Sequence, residues 1–490
     1  MFNNINYSDL LYLPEVSLSI FIFLILTFFT ILEYYYKFDN LNKWCSIFSI
    51  LIIIQILFFL INVFSKLKIN GFFLDFQYQL TDFLIFFKII ILIITLICIL
   101  FAIKYSFNEK IIRWEYYILI LFSSLGNLLL ISSIDLIGIY LGIEIQGLCF
   151  YILASFKTKN NFSTEAGVKY FIQGAVASGI FLLGSSIIYF ATGTTNLNYI
   201  TKIMIMNSNI SSLNYLLILY LGILFITISL LMKLAIVPFH MWAPDVYEGV
   251  PTPITFIFAI LPKIGFIIIL IHLNNIISEN YFNNLVLFIC SILSIFIGLV
   301  SALYQTKLKR WVAFAGISHI GYIILAITIP NIISFDILFF YFIIYIIISI
   351  SIFLIILVLR KYNTNKIKTI EEIILIIDSN KFIAISFALI LFSIMGIPPL
   401  IGFFSKYFLF YLFINEKLYI LSILLISLNV VSGLYYIRLI KKMFFKSKYN
   451  NIKGSLLKLN HTDSLFISLF LFLNIFISLY IEEVFYILVK

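Results

Sequence analysis

Long runs of apolar residues, separated by short polar clusters, occupy almost the whole chain. The runs are continuous rather than alternating, and most reach the roughly 20 residues that a membrane-spanning helix needs, which argues against a β-barrel. The pattern therefore predicts an all-α polytopic membrane protein with about 14 transmembrane helices. The predicted helices lie near residues 15–35, 45–65, 80–103, 114–132, 134–156, 165–191, 212–238, 251–274, 283–304, 310–329, 333–359, 382–412, 418–440 and 464–487.

The composition narrows the class of protein. Of the 490 residues, 63% are hydrophobic and 11% are charged. A soluble domain is about 45–50% apolar and about 25% charged, so this chain lacks the polar surface that water requires. A soluble enzyme, a DNA-binding factor and a single-span receptor are thereby excluded, and the predicted spans leave no room for a large soluble domain.

The distribution of basic residues tests the helix count. Connections that follow odd-numbered predicted helices hold 21 Lys and Arg residues, whereas connections that follow even-numbered helices hold 4. Basic residues collect on one face of a membrane, so this bias supports an even number of spans, with both termini on the opposite face. Topology thus explains the net charge of +10 better than a nucleic-acid partner does.

Six basic residues lie within or close to the predicted spans. A charged side chain at the centre of a bilayer costs roughly 2.5–3.5 kcal/mol on insertion scales, so each needs a reason. Near helix ends, as for Lys88 and Lys169, the side chain is expected to extend toward the membrane surface. This explanation fits Lys233 and Lys263 poorly, because long apolar stretches or a proline flank them. The full set is Lys88, Lys169, Lys233, Lys263, Lys406 and Arg438.

Two predicted helices carry both a lysine and a helix-breaking sequence. Pro238 follows Lys233 in helix 7, and the segment GIPP precedes Lys406 in helix 12. Proline removes a backbone hydrogen bond, and the freed carbonyls are tolerated in a membrane only where protein or water satisfies them. Broken helices with a charge near the middle of the membrane indicate an ion path. A kink used only for packing is the alternative.

The broken helices also match by position. Lys233 and Lys406 are 173 residues apart, Glu144 and His319 are 175 apart, and Lys263 precedes Arg438 by the same 175. An offset of five helices predicts an inverted repeat of helices 4–8 and 9–13. The predicted segments are a three-helix segment at 1–110, the two five-helix repeats at 111–280 and 281–445, and a last helix within 446–490.

The ionisable residues of the two repeats form a candidate proton path. The proton affinity of a buried lysine changes when it gains or loses a nearby carboxylate, so Glu144 and Lys233 are expected to act together as a switch. His319 suits a relay, with a structural core histidine as the alternative, while Lys263 would link the halves and Lys406 would form the exit. His240 and Asp245 are expected mainly to cap and orient the loop after helix 7.

Motifs for nucleotide, nicotinamide or zinc binding do not occur in the sequence, so no cofactor is expected on this chain. The four cysteines are widely spaced and indicate neither a metal cluster nor a disulfide framework. Pumping would then depend on an ion gradient or on a redox-active partner subunit.

Three segments carry a family resemblance: MKLAIVPFHMWAPDVYEGVPTPIT, ALYQTKLKRWVAFAGISHIGYIIL and MGIPPLIGFFSKYFLF. Together with YYIRLIKKMFF they resemble the antiporter-like membrane subunits of respiratory NADH:ubiquinone oxidoreductase (complex I) in the mitochondrially encoded form, over roughly residues 110–450. The APDVYEGVPTP loop and a lysine at position 406 favour the subunit 2 branch over subunits 4 and 5.

This resemblance implies a fourteen-helix subunit of the membrane arm that contributes to proton translocation. By position it implies Glu144 as the acidic partner, Lys233 as the central switch, Lys263 as the connecting lysine and Lys406 as the terminal lysine, with His319 on the hydrated axis. FMN, iron–sulfur clusters and ubiquinone would belong to partner subunits, among which the antiporter-like subunit 4 is expected, and membrane lipids would surround the chain. The expected location is the mitochondrial inner membrane, with the basic loops facing the matrix.

Three alternatives stay open beside this interpretation. A stand-alone cation/proton antiporter subunit would share the fold and the lysines. A bacterial or plastid counterpart of the same subunit would share the motifs. In a purely structural scaffold, the charged residues would be satisfied pairs and no proton would move.

Overall fold

The computed structural model describes residues 13–36, 41–66, 71–73, 77–109, 113–207, 213–277, 281–329, 332–359, 368–445 and 461–480. Within these ranges the chain is helical apart from turns and one short hairpin. Eleven helices of the described ranges are long and apolar enough to cross a membrane, and four more apolar helices are shorter. The chain is therefore a multi-pass all-α membrane protein, as the sequence predicts.

The elements follow the predicted order with several additions. The first part of the chain forms α1 (Leu13–Tyr36), α2 (Leu41–Lys66), β1 (Gly71–Phe73), β2 (Tyr78–Leu80), α3 (Asp82–Glu109), α4 (Glu115–Ser132), α5 (Leu136–Ala154), α6 (Asn161–Thr192), α7 (Leu197–Asn207), α8 (Leu213–Lys233), α9 (Trp242–Gly249) and α10 (Thr252–Ile277). The remainder forms α11 (Tyr281–Tyr304), α12 (Leu308–Ile327), α13 (Ile332–Val358), a 3-10 turn (Glu371–Ile374), α14 (Leu375–Ser379), α15 (Lys381–Met395), α16 (Ile401–Asn415), α17 (Tyr419–Phe445) and α18 (His461–Phe476).

The chain divides into two compact units. The first comprises Met1–Leu234 and Gly249–Asn283, and the second comprises Ala235–Glu248 and Asn284–Lys490. In the first unit, α10 is the most enclosed span, since 94% of its apolar window is buried. In the second unit, α12 and α13 hold this central position, each with 83% of the window buried.

Polar caps explain where several helices begin. The side chain of Asp135 accepts a hydrogen bond from the backbone N–H of Ile137 at the start of α5. Asn160 does the same for α6, and Asn380 for α15. Such residues satisfy backbone donors that lack partners within the helix, which matters most where water is scarce.

Glycines bring α6 and α8 of the first unit close together. A Cβ added at Gly184 would lie 2.8 Å from the carbonyl oxygen of Gly222, and one added at Gly222 would lie 3.1 Å from that of Gly184. Helices in membranes often associate through small residues, because side-chain packing replaces the hydrophobic driving force there. This contact positions α8, which ends at Lys233.

Both helices that the sequence predicts to be broken are interrupted in the structure. The helix predicted over 212–238 ends at Lys233, and a series of turns leads to α9 in what was expected to be a plain loop. The helix predicted over 382–412 is divided into α15 and α16, and Gly396 ends α15 with a φ of 89°, which glycine adopts without the steric penalty of a side chain.

Short elements fill several predicted connections. Strands β1 and β2 pair antiparallel, with Gly71 opposite Leu80 and Phe73 opposite Tyr78. Helix α7, the 3-10 turn and α14 also lie in connections between predicted spans. These elements are too short to produce the long apolar runs on which the sequence interpretation depends.

Part of the last predicted helix, at 464–487, lies outside the described residues, as does part of the predicted segment 446–490. The number of spans, the inverted repeat and the four-segment division stay predictions.

The explanation suggested for Lys88 is wrong. Its side chain is fully buried and forms an ion pair with Glu15 of α1, so it does not extend toward the membrane surface. Because Glu15 lies 73 residues away in sequence, spacing alone gave no sign of this partner. The side chain of Lys169 is 43% exposed and pairs with Glu165 one turn earlier, and its extension toward the membrane surface stays a prediction.

Candidate functional site

Lys233 is the last residue of α8, and its amine reaches across to α5. The Nζ atom of Lys233 donates a hydrogen bond to the hydroxyl of Tyr151 at 3.0 Å and lies 5.7 Å from the centre of that ring. The α-helix ends here because the following residues form turns up to Pro238. The break thus places a cation at a helix C-terminus, where the helix dipole favours positive charge.

Glu144 also lies on α5, two helical turns before Tyr151. Glu144 is close enough to interact electrostatically with both Lys233 and Tyr151. The two predicted partners do not form a direct ion pair in the described structure, and the Oε1 atom of Glu144 is buried without a hydrogen-bond partner there. Glu144 and Lys233 are therefore neighbours in one unit, and the direct contact of Lys233 is with Tyr151.

Lys263 follows a proline inside α10. The residue is 7% exposed, and Pro262 directly precedes it. Asn127 of α4, which is fully buried, donates a hydrogen bond from Nδ2 to the carbonyl oxygen of Leu261 at 2.7 Å. This contact ties α4 to the backbone of α10 next to Pro262 and Lys263.

His319 lies on α12 of the second unit and contacts two tyrosines of α13. Its Nδ1 atom is 2.8 Å from the hydroxyl of Tyr341, and the ring of Tyr345 is 5.9 Å away, centre to centre. Either atom of the His319–Tyr341 pair can donate, depending on the tautomer of the ring. This arrangement is compatible with both a relay and a structural histidine.

Lys406 lies on α16, one and a half turns after the break between α15 and α16. Its Nζ atom donates to the carbonyl oxygen of Met395, the last residue of α15, at 3.1 Å. It also donates to Oδ1 of Asn429 on α17, at 2.5 Å. The break frees a carbonyl that the lysine uses, so the helix interruption and the buried charge stabilise each other.

Two acidic residues of α9 are paired with basic residues at the beginning of α12. Arg310 contacts Asp245 at 2.5 Å through Nη2 and Glu248 at 2.5 Å through Nε. Lys307 forms a further ion pair with Glu248. Asp245 therefore helps to hold the segment after the break, in agreement with the role expected for it, and His240 lies buried within the turns between α8 and α9.

Three polar partners were missed by sequence reasoning: Tyr151, Asn127 and Asn429. Each asparagine is the only Asn or Gln in a helix that otherwise reads as a membrane span. A lone amide in a span is itself a signal, because an unsatisfied amide is costly in hydrocarbon. Tyr151 gives a weaker signal, since tyrosine is frequent throughout this sequence.

Within the described residues, no group of three or more His, Cys, Asp and Glu side chains is close enough together to hold a metal ion. All four cysteines are free thiols.

Residues 133–432 match the model of the NADH:quinone oxidoreductase/Mrp antiporter transmembrane family. This match covers more than half of the chain and includes all five candidate residues. The chain therefore belongs to the NADH:quinone oxidoreductase/Mrp antiporter transmembrane family.

Similar proteins of known identity narrow the position of the chain within this family. NADH-ubiquinone oxidoreductase chain 2 of Oenothera berteroana is 39% identical over 368 residues, which cover 74% of this chain and 74% of the relative. The corresponding chain 2 of Marchantia polymorpha is 36% identical over 82% of this chain and 81% of its own length. NADH-quinone oxidoreductase subunit N of Paramagnetospirillum magneticum is 35% identical over 74% of each chain.

Solved structures share the fold. A chain in the structure of respiratory complex I from Thermus thermophilus with bound aureothin superposes with a TM-score of 0.78 at 23% identity, covering 96% of this chain and 98% of that chain. A chain of the Mrp complex from Dietzia superposes with a TM-score of 0.77 at 16% identity, covering 97% and 96%. These likenesses support the antiporter-like fold across nearly the whole chain.

Proposed function

We propose that this chain is the antiporter-like subunit 2 of the membrane arm of a respiratory NADH:ubiquinone oxidoreductase, in which it contributes to proton translocation. The observation that carries the proposal is that a lysine lies at each helix interruption, half-buried for Lys233 and buried for Lys406. Lys233 ends α8, and Lys406 contacts the carbonyl that the break after α15 leaves free. Such discontinuous helices mark ion sites in transporters.

In this proposal each candidate residue has one role. Glu144 is the acidic neighbour of the Lys233 switch, Lys263 connects the two repeats, His319 relays protons, and Lys406 is the terminal lysine of the second repeat. In the fourteen-span topology predicted from the sequence, predicted helices 4–8 and 9–13 would form an inverted repeat. The two sets of residues would then have opposite orientations in the membrane. The enclosed α10 and α12, which carry Lys263 and His319, support a path that lipid does not reach.

The remaining assignments belong to the complex as a whole. Electron transfer from NADH through FMN and iron–sulfur clusters to ubiquinone would occur on partner subunits, and this chain would carry no redox centre. Neighbours would include the antiporter-like subunit 4, and the membrane would be the mitochondrial inner membrane, with the basic loops in the matrix. The mitochondrial location is supported by the chain 2 relatives from plants.

The test is a set of lysine-to-methionine substitutions, which preserve side-chain length and remove the charge. Lys233→Met and Lys406→Met are expected to lower both NADH:ubiquinone turnover and proton uptake per assembled complex, without reducing assembly. Lys169→Met is the matched control, because this lysine is 43% exposed and lies outside the proposed path. Full activity of the two path variants would remove these lysines from the mechanism.

A stand-alone cation/proton antiporter is the second candidate, since the Mrp chain shares the fold. The two candidates differ in what drives transport. In vesicles, an antiporter would exchange sodium for protons without NADH, whereas the proposed subunit would pump only during NADH oxidation. Co-purification with flavin and iron–sulfur subunits would favour the complex.

A further inference from the structure

Tyr151 interacts with both members of the predicted switch, Glu144 and Lys233. Its hydroxyl accepts a hydrogen bond from Lys233 at 3.0 Å, and Glu144 interacts with it electrostatically. Glu144 and Tyr151 are seven residues apart on α5, so they lie on the same face of that helix. Since Lys233 and Glu144 make no direct ion pair in the described structure, this hydroxyl is the contact through which α5 holds the lysine.

Two glycines leave room for this hydroxyl. A Cβ added at Gly174 of α6 would overlap the hydroxyl of Tyr151, and one added at Gly147 of α5 would lie 3.1 Å from it. Glycine in a helix costs about 0.5–1 kcal/mol relative to alanine, so two such positions around one hydroxyl need a reason. Together they form a notch that no larger residue would leave open.

The ring of Tyr151 is held on its sides as well. Tyr170 and Phe171 of α6 contact it edge-on, with ring centres 5.0 Å and 5.6 Å away. The residue is 9% exposed, so the hydroxyl has little freedom to leave its position. The location of the oxygen is therefore set by the packing of α5 against α6 rather than by Lys233.

A hydroxyl can accept one hydrogen bond and donate another. When Lys233 is protonated, the amine donates to the hydroxyl, and the hydrogen of the hydroxyl is free to point toward another acceptor. When Lys233 is neutral, the hydroxyl can donate to the lone pair of the amine instead. The same contact thus persists in both protonation states, and only the direction of the hydrogen bond changes.

We propose that Tyr151 is a positioning residue that holds the amine of Lys233 at a fixed place relative to Glu144 in both protonation states. The proposal rests on the proposed function, in which Lys233 and Glu144 belong to the proton path. It adds a hydroxyl, held in a glycine notch, as the third member of the switch.

Two substitutions test this role in different ways. Tyr151→Phe removes the hydroxyl and keeps the ring, while Gly174→Ala keeps the hydroxyl and displaces it. Both are expected to lower proton uptake and turnover per assembled complex by about ten- to a hundredfold, the size expected for one lost hydrogen bond to a charged group. The KM for ubiquinone should not change, because the effect falls on kcat. Tyr170→Phe, which removes another hydroxyl from the same aromatic cluster, should leave both quantities near their original values.

A double-mutant cycle separates positioning from simple packing. In the Lys233→Met background, Tyr151→Phe should cause almost no further loss, since residues that act together are non-additive. Losses that multiply, or a Tyr151→Phe complex with normal turnover while Lys233→Met is impaired, would overturn the inference and leave the proposed function standing. If Lys233→Met is itself fully active, the proposed function fails and this inference fails with it. If the variant complex is scarce but normally active, Tyr151 only stabilises the fold, and the inference is again overturned.

Discussion

Removing one member of the buried ion pair between Glu15 and Lys88 should destabilise the first three helices strongly. The pair joins α1 to α3, and the two side chains are 1% and 0% exposed. Glu15→Gln leaves the ammonium of Lys88 without its carboxylate, and Lys88→Met leaves the carboxylate without its ammonium. An uncompensated buried charge of this kind costs about 3–5 kcal/mol, whereas replacing both partners with apolar residues is often neutral.

The structure also provides an internal comparison for this magnitude. Glu165 and Lys169 form an ion pair one helical turn apart on α6, at 2.7 Å, but their side chains are 58% and 43% exposed. An exposed pair of this type contributes about 0.3–0.5 kcal/mol, because solvent screens the charges and the side chains lose freedom. The loss of stability caused by Glu165→Gln should therefore be smaller, by almost tenfold in free energy, than the loss caused by removing one member of the Glu15–Lys88 pair.

Labelling of the native Cys98 in the assembled complex can measure the difference. This cysteine lies on α3 ten residues after Lys88 and is 0% exposed, so a membrane-permeant thiol reagent reaches it only when the helix opens locally. A cost of about 3–5 kcal/mol corresponds to a labelling rate that rises roughly 10²- to 4 × 10³-fold. Glu165→Gln should leave the rate within about twofold, and Glu15→Leu combined with Lys88→Met should return it near the original value.

Two results would refute the reasoning. If both single substitutions at the buried pair leave the labelling of Cys98 unchanged, the pair contributes nothing to holding α1 on α3. If the double substitution labels as fast as the two single effects multiplied together, the residues act independently and the ion pair has no coupling energy.

Further predictions concern the second unit. Thr306→Cys should react with an impermeant maleimide from the matrix side, and Lys417→Cys should react from the opposite side, because the basic loops set the orientation of the chain in the membrane. The reverse pattern, or labelling of both cysteines from one side, would contradict the predicted topology. Asn429→Leu removes the hydrogen bond that the Lys406 amine donates to Asn429, and such a bond to a charged group contributes about 1.5–3 kcal/mol. Turnover per assembled complex should therefore fall about tenfold or more. An unchanged turnover would show that the contact is dispensable. Arg310→Met deprives both acidic side chains of α9 of a partner that is 37% exposed, so thermal inactivation of the complex should begin a few degrees lower, with a cost of about 1 kcal/mol. An unchanged inactivation temperature would show that the ion pairs of Arg310 do not help to hold α9.

The positions of the helices could be predicted from the sequence because each span needs a long apolar run, and the breaks because glycine and proline interrupt two of these runs beside a lysine. The partners of the lysines could not. Lys233 and Tyr151 are 82 residues apart, and Lys88 and Glu15 are 73 apart, each pair on different helices. In a soluble helix the apolar stripe shows which face turns inward, but in a membrane the lipid-facing side is as apolar as the protein-facing side. The usual guide to helix pairing is therefore missing.

The same physics explains which elements were overlooked. Helix α7 and the α14 segment are short and lie between spans, so no continuous run of apolar residues announces them. The hairpin of β1 and β2 has only three residues in each strand. Helix α9, by contrast, follows directly from the break at Pro238 and carries Asp245, which was expected to orient a loop there rather than to lie in a helix.

The direct contacts of the lysines separate structural from path positions. Lys88 is paired with a carboxylate, so removing its proton would leave an unpaired negative charge in a fully buried place. Lys233 instead contacts a hydroxyl, and Lys406 contacts an amide oxygen and a backbone carbonyl. Neutral dipoles of this kind stabilise an ammonium and yet carry no net charge when the proton leaves. A lysine held in this way can exchange its proton without rearranging a buried ion pair, so we expect the chemistry to occur at the lysines with neutral contacts, while the ion pair of Lys88 with Glu15 holds α3 against α1.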